Sequence, residues 1–255
     1  MSPTQVPADD RGLLLGDGLF ETILWEGGAL RAFDPHLARM VRGCAVIGVA
    51  APDPAAALAA AERAIAEAGL GAERASVRLT LTAGSGRGLE RAAGSRGRLI
   101  VQAFPAPRPA GPVSLAVVGI RRNETSPLSR IKSLSYLDNI LARRQAREVG
   151  AAEALLLNTR GELACAAAAN ILWLRDGRLF TPSLACGVLD GTERARAIAA
   201  ARARGMEVVE GAFLPEALHG AEGVVLTNSL MGVCTVSSLD GRPFPQSGLA
   251  AELSS

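Results

Sequence analysis

Of the 27 basic residues in this 255-residue chain, one is a lysine, Lys132. The others are arginines, whose guanidinium stays protonated and is not nucleophilic. Arginine therefore replaces lysine wherever only a charge is needed, but not where an amine must attack a carbonyl. A GC-rich coding bias accounts for the skew and makes the surviving lysine the first residue to suspect of covalent chemistry. Its retention on the surface by chance is the alternative reading. Four positions on stands Tyr136, the only tyrosine. In a helical turn that spacing would put both side chains on one face, with a phenol near an amine or its imine.

The elements that must position these groups read as α+β in the first half. Leu13–Trp25 reads as extended structure broken by Gly16 and Gly18, and Gly27-Gly28 turns the chain into Ala29–Phe33 as a hairpin. Asp34 and Pro35 open a helix carrying Leu37, Met40, Val41, Cys44 and Ile47 at helical spacing. An alanine-rich helix is expected over Asp53–Gly69, then strands at Ser76–Thr82 and Arg98–Phe104. The run Pro105-Ala106-Pro107-Arg108-Pro109-Ala110-Gly111-Pro112 suits neither a helix nor a central strand and marks a linker. The expected division is an N-terminal domain over 1–107, a linker over 108–112, and a C-terminal α/β domain over 113–255 that carries the lysine. Within the last, strands are expected at Val113–Gly119, Ala154–Asn158, Glu207–Val209 and Val224–Thr227. Helices are expected near Leu137–Val149 and over Thr192–Arg204. Tight turns fall at Asn158–Gly161 and Asp176-Gly177, with a closing hairpin at Asp240-Gly241.

Composition narrows the function classes. The chain is 49% hydrophobic and 20% charged, with a net charge of +2, which is ordinary globular composition and directs attention to small molecules rather than nucleic acid or a membrane. No apolar run reaches the roughly 18 residues of a membrane span, and the opening residues lack the layout of a secretory leader. A cytoplasmic location is the expectation. Cys44, Cys165, Cys186 and Cys234 are scattered, without metal spacing or a disulfide framework.

The segment Asp10-Arg11-Gly12-Leu13-Leu14-Leu15-Gly16-Asp17-Gly18-Leu19-Phe20-Glu21-Thr22 resembles the opening motif of the class IV aminotransferase family, the fold-type IV pyridoxal-phosphate enzymes. Further motifs follow in family order across nearly the whole chain. The resemblance implies a two-domain α+β fold, pyridoxal 5′-phosphate as cofactor, and a homodimer with the cofactor site between the domains of each subunit. It implies Lys132, in Lys132-Ser133-Leu134-Ser135-Tyr136-Leu137, as the Schiff-base lysine, with Tyr136 also at the cofactor. Arg39, in His36-Leu37-Ala38-Arg39-Met40, would bind phosphate, as a guanidinium fork suits a dianion. Gly187-Val188-Leu189-Asp190-Gly191-Thr192-Glu193-Arg194 would present Leu189 to the pyridine ring and the amides of Gly191, Thr192 and Glu193 to the phosphate, in keeping with anion binding at helix N-termini. Many relatives have threonine at Glu193, so its carboxylate must turn away. Ser229, in Thr227-Asn228-Ser229-Leu230-Met231-Gly232, would add a hydroxyl. Phe20 and Arg87 would face the substrate, Arg87 from the loop Ala83-Gly84-Ser85-Gly86-Arg87-Gly88 as a carboxylate ligand.

One position departs from the family. A glutamate five residues before the asparagine of its Glu-x-x-x-x-Asn motif pairs with the pyridine nitrogen. Here Asn170 is kept, but Cys165 stands at the glutamate position. Glu162 lies three positions earlier and would face the other side of a strand. A thiol gives only a weak hydrogen bond, so the electron sink should be weaker. This favours a lyase that expels pyruvate from 4-amino-4-deoxychorismate, aided by aromatisation, over an aminotransferase for D-amino or branched-chain amino acids. A non-catalytic relative is the third reading.

Overall fold

The computed structural model describes residues 5–91 and 94–254. Part of the stretch read for a leader, 1–4, lies outside the described residues, as do the ends of the expected domains. The chain divides into two compact units. The first runs through Arg108 and takes back Ile131–Ser135; the second comprises Pro109–Arg130 and Tyr136 onward. The division at Arg108/Pro109 falls inside the proline-rich stretch, but the lysine segment groups with the first unit and not the second. Its backbone is the reason: the Phe20 amide donates to the Lys132 carbonyl (2.9 Å) and the Leu134 amide to the Gly18 carbonyl (2.9 Å). With the Leu19–Ser133 bridge, these bonds lay the segment along a strand of the first unit.

In that unit α1 (Arg11–Leu15), β1 (Gly18–Glu26), β2 (Ala29–Leu30), α2 (Phe33–Ile47), α3 (Pro54–Glu67), β3 (Ala75–Thr82) and β4 (Arg98–Pro105) follow in order. The strands form an antiparallel sheet in the order β2-β1-β3-β4. The extended reading of Leu13–Leu15 is corrected, since these residues are helical. Asp10 accepts the Gly12 amide (2.8 Å) as N-cap, and Gly16 ends the turn at φ +67, a left-handed conformation that glycine adopts without steric cost. Gly27 and Gly28 both have positive φ, as a two-residue hairpin turn of twist-matching type requires. Helix α2 begins at Phe33, ahead of the expected Asp34 cap. Asp53 caps α3 through the Ala56 amide (2.8 Å). Leu19, Ile23, Val77 and Leu79 from the sheet pack with Met40, Cys44, Ala57, Ala61 and Ile65 from the helices.

The second unit contains β5 (Val113–Arg122), α4 (Leu137–Glu148), β6 (Glu153–Asn158), β7 (Leu163–Ala166), β8 (Asn170–Arg175), β9 (Arg178–Pro182), α5 (Thr192–Ala203), β10 (Val208–Gly211), β11 (Gly223–Asn228), β12 (Gly232–Leu239), β13 (Arg242–Pro243) and α6 (Leu249–Ser254). Its strands run β10-β9-β8-β11-β12-β5-β6-β7, with β13 on β12. The β5–β6 pair is parallel, with α4 as its crossover, the connection parallel strands require. Trp173, fully buried with Leu155, Leu163 and Ile171, contacts Phe213 edge-on at 5.0 Å and stacks on Phe180 at 5.8 Å, arrangements suited to aromatic quadrupoles.

A buried ion pair ties α2 to β1. Arg39 Nε and Nη2 donate to the two Glu21 oxygens (2.8 and 2.6 Å), and His36 Nδ1 lies 2.7 Å from the second. Burial raises the Glu21 pKa, but the Arg39 and His36 hydrogen bonds outweigh it and hold the carboxyl below its usual value. A depressed carboxylate pKa contributes stability that is present above the unfolded value, about 4.3, and is lost as pH falls through the folded one. Glu21→Gln leaves the Arg39 charge buried without its counter-ion, at a cost of about 3–5 kcal/mol. Denaturation of the cofactor-free protein at pH 7 should show that loss, and the difference from wild type should narrow as pH falls below about 4.

Candidate active site

In the first unit, Lys132 is half-buried, and its Nζ lies 4.2 Å from the centroid of the buried Phe20 ring. The Arg78 guanidinium lies 3.9 Å from the same centroid, so one ring carries two cations, each drawn to its π-face. Residues 131–135 are not helical, and α4 starts only at Leu137. The helical turn that would put Lys132 and Tyr136 on one face is therefore absent, because the backbone is occupied in the bridge to β1. Tyr136 belongs to the second unit, where its carbonyl accepts the Ile140 amide (3.2 Å) as α4 begins.

Arg39 also lies in the first unit, nine-tenths buried, with two guanidinium nitrogens on Glu21. Its Glu21 and His36 partners were missed in the sequence, although Glu21 stands inside the opening motif. Arg87 is exposed on the loop after β3.

The second unit brings most of the remaining residues together. Asn170 opens β8, and its Nδ2 donates to the Leu189 carbonyl (3.0 Å). Gly191 is the N-cap of α5 and has no side-chain cap. A Cβ there would stand 2.0 Å from Asn170 Oδ1, so only glycine lets the chain pass this close to Asn170. The helix's own bonding begins with the Ala195 amide donating to the Gly191 carbonyl (2.9 Å). The first-turn amides of α5 thus lie at the positive end of its dipole. Glu193 turns its carboxylate to Arg196 Nε (2.9 Å).

Thr227 pairs with Asn170 across β11 and β8. Its Oγ1 is buried without a hydrogen-bond partner among the described residues. Such an orphan costs stability unless a ligand or water meets it. The sequence motif points to Ser229, two residues on, and carries no signal for Thr227. Ser229 is set by the Asn228 side chain, whose Oδ1 accepts the Leu230 and Met231 amides (3.0 and 2.8 Å) and whose Nδ2 donates to the Ala168 carbonyl (3.0 Å).

Cys165 lies on β7 opposite Leu156 and packs with Ala164, Cys186 and Val188. Burial raises its thiol pKa, against a smaller opposing pull from Arg122, so the group is a neutral thiol. Arg122, also missed in the sequence, donates from Nε to Gly187 (3.2 Å), between Cys186 and Val188, and from Nη2 to Ser129 (2.8 Å). Two nearby carboxylates are engaged elsewhere. Glu162 accepts from Asn158 Nδ2 (2.6 Å) and from Arg160 Nε and Nη2 (3.0 and 2.7 Å). Buried Glu153 accepts the Ala154 amide (2.9 Å) and has Arg143 at 3.5 Å.

Residues 18–239 match the model of the amino-transferase class IV family. Aminodeoxychorismate lyase from Vibrio harveyi is 28% identical over 92% of this chain and 88% of its own. D-alanine aminotransferase from Bacillus licheniformis is 26% identical over 94% and 85%. A Legionella pneumophila structure provisionally assigned as a 4-amino-4-deoxychorismate lyase superimposes with a TM-score of 0.92 at 31% identity, over 99% of this chain and 94% of its own. A Mycobacterium tuberculosis protein described as a hypothetical aminotransferase, solved in a pyridoxal-phosphate-bound form, gives 0.87 at 25%, over 99% and 93%. The chain belongs to the class IV aminotransferase family and has the fold of its fold-type IV pyridoxal-phosphate enzymes.

Proposed function

We propose that this enzyme is a 4-amino-4-deoxychorismate lyase, dependent on pyridoxal 5′-phosphate, that releases pyruvate and 4-aminobenzoate. The observation that carries this choice is the buried neutral thiol of Cys165 where the family places a carboxylate.

The residues fit the cofactor. A glycine cap packed on Asn170, the first-turn amides of α5 and the orphaned Thr227 hydroxyl offer donors to an anion from one side of the second unit, as a phosphate requires. In this reading Thr192, Glu193 and Ser229 join them on the phosphate, with Arg39 contributing from its ion pair. Leu189 and Asn170 support the ring, Tyr136 also lies at the cofactor, and Lys132 Nζ is the point of covalent attachment. Bound pyridoxal phosphate supplies an electron sink for the carbon that bears the substrate nitrogen.

Once the substrate amine has displaced it, the freed Lys132 Nζ would serve as general base, taking the proton from that carbon. Phe20 walls the amine, and Arg87 holds a substrate carboxylate through a charge-assisted hydrogen bond. Cys165 cannot act as the anionic partner of the ring nitrogen, and the Arg122 charge beside its cluster disfavours a second positive charge there. The sink is thereby weakened. Amino transfer relies on it in both half-reactions, whereas loss of pyruvate is driven in part by formation of an aromatic ring. A D-amino acid or branched-chain aminotransferase is the second reading, favoured by the D-alanine aminotransferases among the relatives.

We place the enzyme in the cytoplasm as a homodimer. Each unit exposes apolar side chains, Leu13 and Leu14 on α1 of the first and Leu137 and Ile140 on α4 of the second, all more than half exposed, as suits surfaces that a partner covers. No helix among the described residues is long and apolar enough to cross a membrane.

Parallel assays test this function. Wild type should release 4-aminobenzoate and pyruvate from aminodeoxychorismate much faster than it transfers an amino group from D-alanine to 2-oxoglutarate; efficient transamination without pyruvate release contradicts the reading. Cys165→Glu, with Cys165→Ser as control, should raise transamination relative to elimination by about tenfold or more, the equivalent of one pK unit at the ring nitrogen. Sedimentation equilibrium should give a dimer.

A further inference from the structure

One buried guanidinium reaches the loop that carries Arg87. Arg11 is 3% exposed. Its Nη1 donates to the Gly88 and Glu90 carbonyls (2.8 and 3.2 Å), its Nη2 to the Leu89 carbonyl (3.1 Å), and its Nε to Asp17 Oδ2 (2.8 Å). One side chain thus ties down three successive carbonyls of the loop. The backbone beside it completes the hold, with the Arg11 amide on the Gly84 carbonyl (2.8 Å) and the Gly86 amide on the Asp9 carbonyl (2.9 Å). Gly84 is itself fixed, at φ +80 with no room for a Cβ, which would meet the Arg96 carbonyl at 2.1 Å. Asp17 is in turn held by Arg91 as well as Arg11.

Burying a guanidinium is costly unless its charge and donors are matched. Here the matching groups are one carboxylate and three loop carbonyls. An apolar side chain could fill the same volume, but it could not bond three carbonyls. At the centre of the clamped segment Arg87 is exposed, with no hydrogen-bond or ion-pair partner among the described residues. The result is a cation displayed on a backbone fixed from below.

We propose that Arg11 is a positioning residue for substrate selection: it sets the Gly84–Glu90 loop so that Arg87 meets the substrate carboxylate without an ordering cost at binding. This rests on the reading of Arg87 as the carboxylate ligand. Lysine at position 11 keeps the charge but presents a point ammonium in place of the fork, so Arg11→Lys retains the buried cation while loosening the loop.

The test is a double-mutant cycle on the holoenzyme, with aminodeoxychorismate as the substrate for elimination and D-alanine for amino transfer. Arg87→Ala should raise KM by about 10- to 100-fold, as for loss of a hydrogen bond to a charged group. Arg11→Lys should raise KM by about five- to tenfold, with a smaller change in kcat. It should also speed amide exchange across residues 84–91. In the Arg87→Ala background Arg11→Lys should change KM by less than about twofold. Asp17→Asn, which removes the charge that Arg11 and Arg91 share, should shift KM in the same direction and serves if Arg11→Lys does not fold. An unchanged KM in Arg87→Ala removes the reading beneath the proposal and the proposal with it. A normal Arg87→Ala effect with no effect of Arg11→Lys overturns the clamp alone, as does an Arg11→Lys effect of equal size in both backgrounds.

Discussion

Two backbone hydrogen bonds, from the Phe20 amide to the Lys132 carbonyl and from the Leu134 amide to the Gly18 carbonyl, lay the lysine segment against β1. Because β1 also carries Phe20 and Glu21, the same strand fixes the ring beneath Nζ and the carboxylate that orients Arg39. At its N-terminal end the strand is continuous with Asp17, the anchor of Arg11 and Arg91. A lysine side chain is long and rich in rotamers, so its reach is set first by where its backbone is held. Here the backbone is held by a sheet edge, and the chemistry assigned to Nζ depends on that.

The second unit supplies groups of another kind. Its contributions are backbone amides, a glycine without room for a side chain, and small hydroxyls, all of which leave space for an anion. Cys165 stands apart as the position where charge has been removed. A carboxylate there would have had Arg122 nearby as a counter-ion; a thiol leaves the arginine bonded to the carbonyls of Gly187 and Ser129. If the ring nitrogen lies at Cys165 as proposed, it lacks its anionic partner, and the reaction proposed for the enzyme is one in which aromatisation offsets the weaker sink.

The sequence made some of this legible for identifiable reasons. Lys132 was visible because a coding bias had cleared the other lysines, and Cys165 because the fixed spacing to Asn170 exposes a missing glutamate. The Gly27-Gly28 and Asp176-Gly177 turns were readable from local chemistry, and both adopt positive φ. Other features depend on contacts far apart in the chain. Arg11 meets partners 77 to 79 positions away, and no local pattern announces such a bond. The leucines of α1 read as a strand because five residues are too few to display a helical period. Strand β9 and the C-terminal helix α6 went unread, since short elements of this kind are decided by packing. The lysine segment was placed with the second unit because sequence order suggested it; its bridge to β1 is a long-range pairing.

The chemistry proposed for this enzyme stands on the covalent role of Lys132, and borohydride reduction of the holoenzyme followed by mass mapping of its peptides examines that role directly. The prediction is loss of the visible cofactor band together with a stable pyridoxyl adduct on the peptide containing Lys132. An unmodified Lys132 peptide from protein that had bound the cofactor stoichiometrically would contradict it.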